Sequence, residues 1–401
     1  MNKEQRMFLR IISDHLQGRK TNLSDSMAAE LDWAQIYRYA QIHQLEGILF
    51  HQLQAFFAGK KEYISIASQL EKSKAACIYY YALNSHAIDE IQNTFQVYNI
   101  RFFPVKGLEI ASCYPIPMYR TMGDLDIVVF PKEKVKASKT LEKLGYTLLE
   151  KNFGLQFRKQ SINLELDTHL LHKETLENNK RRRYFDTCWK YLIVDSDGKY
   201  HLDINFHYVY LVEHIKKHFR TRGIGFRQFI DLAVFAQKHS ELDWEWIKIQ
   251  LQKIDLWKFA VLAHTYIYIW WGMESPFSIE KLEQNFYEET TDYVFSSGVF
   301  GFENKNQSLY VAEAYLNSDR RTGFFTHFIY IMRNTFIPYS KMITLPYCSF
   351  IAGKKWLLPY GWIYRVYYKL KRKGCSGKNK VSIESKEIMD NHRNLMKKWN
   401  I

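Results

Sequence analysis

The spacing of apolar residues changes twice along this chain, and these changes restrict the fold more than any other feature of the sequence. Residues 1–98 carry apolar side chains at helical spacing, as at Ile42, Leu45 and Leu49. Short apolar runs of strand length occupy residues 99–175, and helical spacing returns after them. Gly (18) and Pro (8) are scarce among the 401 residues, so we expect long regular helices. The sequence therefore predicts an α+β protein, with one mixed sheet embedded in largely helical flanking regions.

The predicted elements between residues 99 and 175 follow one another in an order typical of a compact α/β unit. A strand leads into a short helix, a second strand leads into a longer helix, and three strands then form a meander. Pro131 and Gly145 are placed to begin and end the longer helix. The predicted strands are 100–105, 124–130, 146–152, 154–160 and 162–170. We divide the chain into an N-terminal helical region (1–98), the strand-containing unit (99–175), a C-terminal helical region (176–330) and a basic aromatic tail (331–401).

Two aspartates at the start of the second strand are the clearest chemical signal. Asp124 and Asp126 lie two residues apart, so alternation along a strand places both carboxylates on one face, about 6–7 Å apart. Two like charges on one face disfavour each other's ionised form unless a positive charge lies between them. A divalent metal ion supplies such a charge, and Mg²⁺ prefers oxygen ligands. The pair therefore indicates half of a metal site, with a solvated strand end as the alternative.

The last strand of the meander offers the other half of the site. Glu165, Asp167 and His169 share one face of that strand by the same alternation. Magnesium sites rarely take imidazole, so we expect His169 to be structural or to support a metal ligand rather than to bind the metal itself. Asp167 has the shorter side chain and loses less rotamer freedom than Glu165 on holding a metal. We therefore predict that Asp167 completes the site and that Glu165 lies farther from both aspartates.

The turn after the first strand has the features of a phosphate site. Gly107 allows the backbone to approach a ligand closely, and Lys106 adds a full positive charge. The start of the following helix favours an anion. Arg120, four residues before Asp124, is suited to binding a phosphate through two parallel hydrogen bonds. We predict that Lys106, Gly107 and Arg120 bind the phosphates of a nucleotide.

These motifs together resemble those of a known family. The chain contains "KGLEIASCYPIPMYRTMGDLDIVV", "LDTHL" and "HIKKHFRTRGIGFRQFIDLAVF" in that order, and its tail contains "LLPYGWIYR". The series is similar to that of the uncharacterised bacterial nucleotidyltransferase family within the polymerase-β-like nucleotidyltransferase superfamily. The resemblance implies a nucleotidyltransferase palm over residues 99–175, with Asp167 in the family's D-x-H motif. One departure is the Lys-Gly-Leu turn, where the wider superfamily usually has Gly-Gly or Gly-Ser.

The resemblance also implies an activity. We expect transfer of a nucleoside monophosphate from an NTP to a hydroxyl acceptor with release of pyrophosphate, with Asp124, Asp126 and Asp167 as the catalytic and metal-binding residues. Two Mg²⁺ ions are expected, with Mn²⁺ as an alternative. The acceptor is open among a sugar, a protein side chain, a small molecule and RNA. Two other functions also stay open: a catalytically degenerate module that binds a nucleotide or a partner, and a metal-dependent nuclease with the same acids.

The charge of the chain favours a polyanionic partner. Its formal net charge is +14, which suits a nucleotide, a nucleic acid or an anionic membrane surface. The basic aromatic tail is suited to peripheral contact with a membrane or a nucleic acid, with a packed amphipathic helix as the alternative. The five cysteines form no C-x-x-C pair, so neither a zinc site nor a disulfide framework is indicated. The first twenty residues lack the apolar core of a signal peptide, and we expect a bacterial cytoplasmic protein, with peripheral membrane attachment as the alternative.

Four residues of the C-terminal helical region recur in the family motif without a clear role. His214 and His218 are four residues apart and share a helix face, as do Arg227 and Asp231. The resemblance suggests that this part of the chain packs near the active site. An ion pair between Arg227 and Asp231 within one helix is the alternative.

Overall fold

The chain forms two compact units, Met1–Glu303 with Lys398–Ile401 and Asn304–Lys397. The computed structural model describes residues 1–150, 154–171, 179–221, 223–299, 336, 339–342, 346–351, 353–374 and 394–400. The part of the predicted C-terminal helical region from 300 to 330 lies outside the described residues. The predicted division of the chain into four regions stays a prediction.

Helices dominate the first hundred residues, as the apolar spacing predicted. They are α1 (Lys3–Leu16), α2 (Asp25–Ala29), α3 (Trp33–His43), α4 (Glu46–Phe57) and α5 (Ile64–Val97). The first begins with a capping box, in which the Asn2 side chain accepts from the Gln5 N–H and the Gln5 side chain accepts from the Asn2 N–H. Scarce helix breakers allow α5 to run for 34 residues.

A five-stranded mixed sheet follows, and all five predicted strands are confirmed. The strands are β1 (Phe102–Val105), β2 (Leu125–Val129), β3 (Thr147–Glu150), β4 (Leu155–Lys159) and β5 (Ile162–Asp167). Helix α6 (Gly107–Ala111) lies between β1 and β2, and α7 (Lys134–Lys143) lies between β2 and β3. The strand order is β1-β2-β5-β4-β3. Strands β2 and β5 are parallel and the other neighbours are antiparallel.

The remaining helices of the first unit follow the sheet in the sequence. They are α8 (Asn179–Phe185), α9 (Ile204–Thr221), α10 (Phe226–Lys238), α11 (Trp244–Lys253), α12 (Trp257–Trp271) and α13 (Gln284–Ser297). A two-stranded sheet of β6 (Leu192–Val194) and β7 (Tyr200–Leu202), which the sequence did not predict, lies between α8 and α9. In the second unit, the described elements include α14 (Tyr339–Met342) and α15 (Leu358–Gly374).

One face of the sheet is packed against helices, and this determines where the polar residues must lie. Alternate residues of β2, Leu125, Ile127 and Val129, are buried in a core with residues of α5 and α7. Because strand side chains alternate, Asp126 lies on the opposite face. The fold is thus the α+β arrangement that the sequence predicted. Among the described residues, no helix combines the length and apolar character needed to cross a bilayer.

Candidate active site

Three carboxylates converge on the face of the sheet opposite the helical core. Asp126 of β2 pairs in register with Glu165 of the parallel strand β5, so their side chains lie next to each other on one face. Asp124 precedes β2 by one residue and extends the same row. Oxygen atoms from Asp124, Asp126 and Glu165 lie within 4.8 Å of one another, with Asp124 exposed and the other two partly buried.

The electrostatics of the cluster show a charge imbalance. Burial raises the pKa of Asp126 to about 7; Asp124 and Glu165 add to this rise, and Lys106 opposes it. Three carboxylates in a partly desolvated row favour a cation among them. Their oxygen donors match the ligands of a hard divalent ion such as Mg²⁺. The residues present therefore fit a divalent metal.

Lys106 brings a positive charge to the edge of this cluster. Strand β1 ends at Val105, which lies opposite Asp126 in the antiparallel pair. The next residue thus reaches the same carboxylate, and Lys106 Nζ lies 3.1 Å from Asp126 Oδ2. Burial disfavours the ammonium, but the charges of Asp126, Tyr210 and Asp124 outweigh it and hold the pKa of Lys106 above its ordinary value. The lysine is therefore a permanent cation at neutral pH.

The backbone at this turn is strained. Lys106 adopts φ 62° and ψ −140°, a conformation that costs a residue with a side chain of order 1–3 kcal/mol. Gly107, with φ 44°, continues the left-handed bend at lower cost. A Cβ at Gly107 would lie 4.0 Å from the Asp124 carbonyl oxygen, so the turn runs close to the start of β2. Strain of this kind is commonly found where a backbone is shaped for a ligand.

On β5, Glu165 is the acid that lies in one group with Asp124 and Asp126. Asp167 pairs with Val128, two residues beyond the Asp126–Glu165 pair. Within the described part of the chain, Asp167 joins no group of three metal-ligating side chains, whereas Glu165 does. Side-chain length favoured Asp167, but the register of β2 against β5 places Glu165 opposite Asp126. The catalytic role assigned to Asp167 stays a prediction.

Gly154 is a site residue that sequence analysis missed. A Cβ on Gly154 would lie 2.6 Å from Asp167 Oδ1 and 3.2 Å from Glu165 Oε1. The first distance is too short for any side chain without displacement of the carboxylate. Glycine therefore lets the backbone just before β4 pass beside both acids without moving the Asp167 carboxylate. The glycine at the start of the strand "GLQFRKQ" was the available signal.

Arg120 has a different environment from the one expected. Its side chain is buried, at 6% exposure, and forms a two-point ion pair with Asp231 of α10 through Nε–Oδ1 at 2.7 Å and Nη2–Oδ2 at 2.8 Å. Its Nη1 donates to the Gly107 carbonyl at 3.2 Å, and Tyr114 donates its hydroxyl to Asp231 at 2.7 Å. A buried guanidinium requires such a partner. Arg120 thus holds the Lys106-Gly107 turn, and its predicted phosphate contact stays a prediction.

Helix α10 begins where the backbone is packed closely against the residue that follows α13 by two positions. Its first residues follow Gly225, where a Cβ would lie 2.8 Å from the Val299 nitrogen. Arg227 then donates from Nη1 to the Thr121 carbonyl at 2.8 Å and to the Gln44 side chain. The expected alternative of an Arg227–Asp231 pair within the helix is wrong, since Asp231 pairs with Arg120. Both residues instead fix the segment that leads to Asp124.

Two side chains of α9 lie within electrostatic range of the site, near which the family resemblance suggested that this part of the chain packs. Burial raises the pKa of Tyr210 to about 12; Lys106 opposes this rise, and Asp126, Asp167 and Glu165 add to it. Burial also lowers the pKa of His214 well below its ordinary value, and Lys106, His218 and Lys217 lower it further. The Tyr210–His214 and His214–His218 ring centroids lie 6.2 Å and 4.5 Å apart. Tyr210 and His214 therefore lie within electrostatic range of Lys106.

His169 contacts an acidic residue outside the carboxylate cluster, and its predicted role stays a prediction. Its Nδ1 lies 2.8 Å from Asp186 Oδ1, just after α8. The contact joins the end of β5 to the segment after α8. His169 is not part of the metal-ligating cluster.

A mixed sheet that gathers three carboxylates and a lysine on one face defines a palm of the nucleotidyltransferase type. A family model described as "Uncharacterised nucleotidyltransferase" matches residues 29–272, from α3 to α12. The chain belongs to this family, which confirms the resemblance noted in the sequence. A comparison with curated proteins gave no match, and a comparison with solved structures gave none either.

Proposed function

We propose that this protein transfers a nucleoside monophosphate from an NTP to a hydroxyl-bearing acceptor in a reaction that depends on Mg²⁺. The observation that carries the proposal is the convergence of Asp124, Asp126 and Glu165 within 4.8 Å beside Lys106. An acceptor oxygen attacks the α-phosphorus, the bond from that phosphorus to the bridging oxygen breaks, and pyrophosphate leaves. The family membership supports nucleotidyl transfer in general terms.

In this proposal, the carboxylate cluster binds the metal. Asp124, Asp126 and Glu165 would hold the divalent ions, two in number for Mg²⁺, with Mn²⁺ as an alternative. When bound, such ions neutralise phosphate charge and activate the attacking oxygen. Asp167 lies on the same strand face as Glu165, two residues farther along. We assign it the removal of the acceptor proton, because it supplies a carboxylate beside the cluster that is not one of the three proposed metal ligands.

In this proposal, the positively charged side chain at the cluster binds phosphate. Lys106 remains protonated and lies beside the carboxylates, so it offers a fixed positive charge to a triphosphate. Gly107 leaves the backbone open to a phosphate oxygen. Arg120 supports this arrangement through its bond to the Gly107 carbonyl.

Label transfer from NTPs distinguishes the proposal from its alternatives. Each of the four NTPs, labelled at the α-phosphate or at the γ-phosphate, is incubated with the protein, Mg²⁺ and an unfractionated bacterial extract as the source of acceptors, with the extract alone as the control. The proposal predicts α-label in a product and γ-label in pyrophosphate. A nuclease would instead shorten an added RNA or DNA oligonucleotide. A degenerate binding module would bind an NTP analogue with neither outcome, and either result would overturn the proposal.

A further inference from the structure

Helix α15 of the second unit exposes a row of large apolar and aromatic side chains. Trp356 (76% exposed), Tyr360 (58%), Ile363 (68%) and Tyr367 (57%) follow one another at intervals of four, three and four residues. This spacing places them on one side of the helix and of the short turn that leads into it. We call these four residues the exposed stripe. Soluble proteins rarely present so many large apolar groups together without a partner.

The other side of α15 is already packed. Trp362 and Tyr364 contact a small core of Met342, Cys348 and Ile351. Gly361 is buried against the same core, and a Cβ there would lie 3.4 Å from Ile351 side-chain atoms. Because α15 already packs against a core on this side, the exposed stripe is a second apolar face of the same helix. A second surface must account for it.

The segment of sequence that carries the exposed stripe has charges of one sign only. Between residues 354 and 374 the chain has seven Lys and Arg residues and no Asp or Glu; the seven are Lys354, Lys355, Arg365, Lys369, Lys371, Arg372 and Lys373. Lys354 and Lys355 are exposed directly beside Trp356. A helix with Lys and Arg beside Trp, Tyr and Ile has the chemistry of a membrane interface: rings lie at the headgroup level and cations contact anionic headgroups.

We propose that the exposed stripe and its flanking cations bind an anionic lipid surface, with Trp356 and Ile363 inserted at the boundary of the acyl chains. A nucleic acid would also attract the cations, and its bases can stack on Trp and Tyr. It offers no comparable environment for Ile363, which is 68% exposed at the centre of the stripe. Lipid accounts for the charge and for the aliphatic residue together. This inference concerns the second unit and does not depend on the proposed function.

Vesicle co-sedimentation of the full chain tests the proposal. We expect binding to vesicles of phosphatidylcholine with phosphatidylglycerol, weak binding to phosphatidylcholine alone, and release from the anionic vesicles at high salt. Each cation removed from the surface should weaken binding about fivefold. Lys354→Ser with Lys355→Ser should therefore lower the affinity about 25-fold. The matched control is Lys132→Ser with Lys136→Ser, which removes the same charge from exposed positions at α7 and should change binding much less.

A second variant separates insertion from attraction of charge. Trp356→Ser with Ile363→Ser leaves the net charge unchanged, and both positions are exposed, so the fold should be kept. We expect this variant to bind anionic vesicles at least tenfold more weakly, in keeping with the loss of two apolar side chains from the interface. Equal binding of the wild type to neutral and anionic vesicles would overturn the proposal. So would a loss of vesicle binding in the Lys132→Ser, Lys136→Ser control as large as that in the Lys354→Ser, Lys355→Ser variant. Displacement of the protein from anionic vesicles by a single-stranded oligonucleotide, with both serine variants unchanged in vesicle binding, would assign the surface to nucleic acid.

Discussion

Arg120 and Asp231 lie 111 residues apart in the sequence and form a two-point ion pair in the protein interior, with both nitrogen–oxygen distances below 3 Å. The same guanidinium donates to the Gly107 carbonyl. Helix α10 is thereby joined to the turn that carries Lys106. This link explains why a helix without a residue in the carboxylate cluster carries part of the family motif.

Breaking the Arg120–Asp231 pair should destabilise the protein strongly. Asp231→Ala leaves a buried guanidinium without its partner, and we expect a loss of about 3 to 5 kcal/mol in the free energy of unfolding, measured with urea. A control is Lys180→Ala, since the Lys180–Asp255 pair is more than half exposed on both sides and should contribute less than about 1 kcal/mol. A loss in Asp231→Ala no larger than that of the control would show that the pair does not hold the turn.

The two aspartates of β2 should differ in their effect on the stability of the metal-free protein. Asp126→Asn removes the partner of the partly buried Lys106, so we expect a loss of about 1 to 3 kcal/mol in the free energy of unfolding. Asp124→Asn changes an exposed residue and relieves repulsion, so stability should stay equal or rise slightly. Urea unfolding with a chelator present measures both. The same loss in both variants would contradict the separate environments of the two residues.

Glu165 should matter more than Asp167 for binding of a divalent metal. Glu165→Gln removes a carboxylate from the cluster, so its loss of Mn²⁺ affinity should exceed the roughly 10- to 100-fold typical of residues that only support a ligand. Asp167→Asn should lower the Mn²⁺ affinity less than Glu165→Gln does. It should lower the rate of the transfer reaction more than it lowers the Mn²⁺ affinity. Calorimetric titration with Mn²⁺ ranks the two variants. A greater loss in Asp167→Asn would restore the order that the sequence first predicted.

His201 should give a pH dependence to stability that is separate from the carboxylate cluster. Its hydrogen bond to Glu109 and its contact with Asp195 raise its pKa to about 9, against the opposing effect of burial. The Nδ1–Glu109 Oε1 and Nε2–Asp195 Oδ2 distances are 3.5 Å and 3.1 Å. Because the folded pKa exceeds the unfolded value of about 6.5, the protonated histidine stabilises the fold fully below pH ~6.5. That contribution is lost as pH rises through about 9.

Comparison with His201→Gln isolates this contribution. The difference in the free energy of unfolding between the wild type and the variant should be constant below pH ~6.5 and should shrink between pH ~6.5 and ~9. Urea unfolding at a series of pH values measures it. A difference that does not change over this range would mean that His201 carries no charge in the folded protein.

The fold of the palm could be predicted from the sequence because its signals are local. In strand β2, Asp126 is only partly buried and the next residue, Ile127, is buried. Helix α7 lies between Pro131 and Gly145, as predicted. Asp124 and Asp126 share a face for the same local reason. These features depend on residues close together in the chain.

The rest of the site depends on contacts that the sequence does not specify. The choice between Glu165 and Asp167 is made by the register of β2 against β5, which no single strand determines. Arg120 has the chemistry of a phosphate ligand, but a partner from α10 engages it. The close passage of Gly154 beside Glu165 is likewise a tertiary relationship. Tertiary packing therefore decided which candidate residues form the cluster.

Pyrophosphate release by the wild type and by Asp124→Asn is the most direct test of the central claim. Asp124 is exposed, so the variant should keep its fold while losing one carboxylate of the cluster. With Mg²⁺, NTPs and an unfractionated bacterial extract, we expect the wild type to release pyrophosphate above the level of the extract alone. We expect no such release after chelation of the metal, and a loss of about 100-fold or more in the variant. Release that is equal in the wild type and in a folded Asp124→Asn variant would contradict the account.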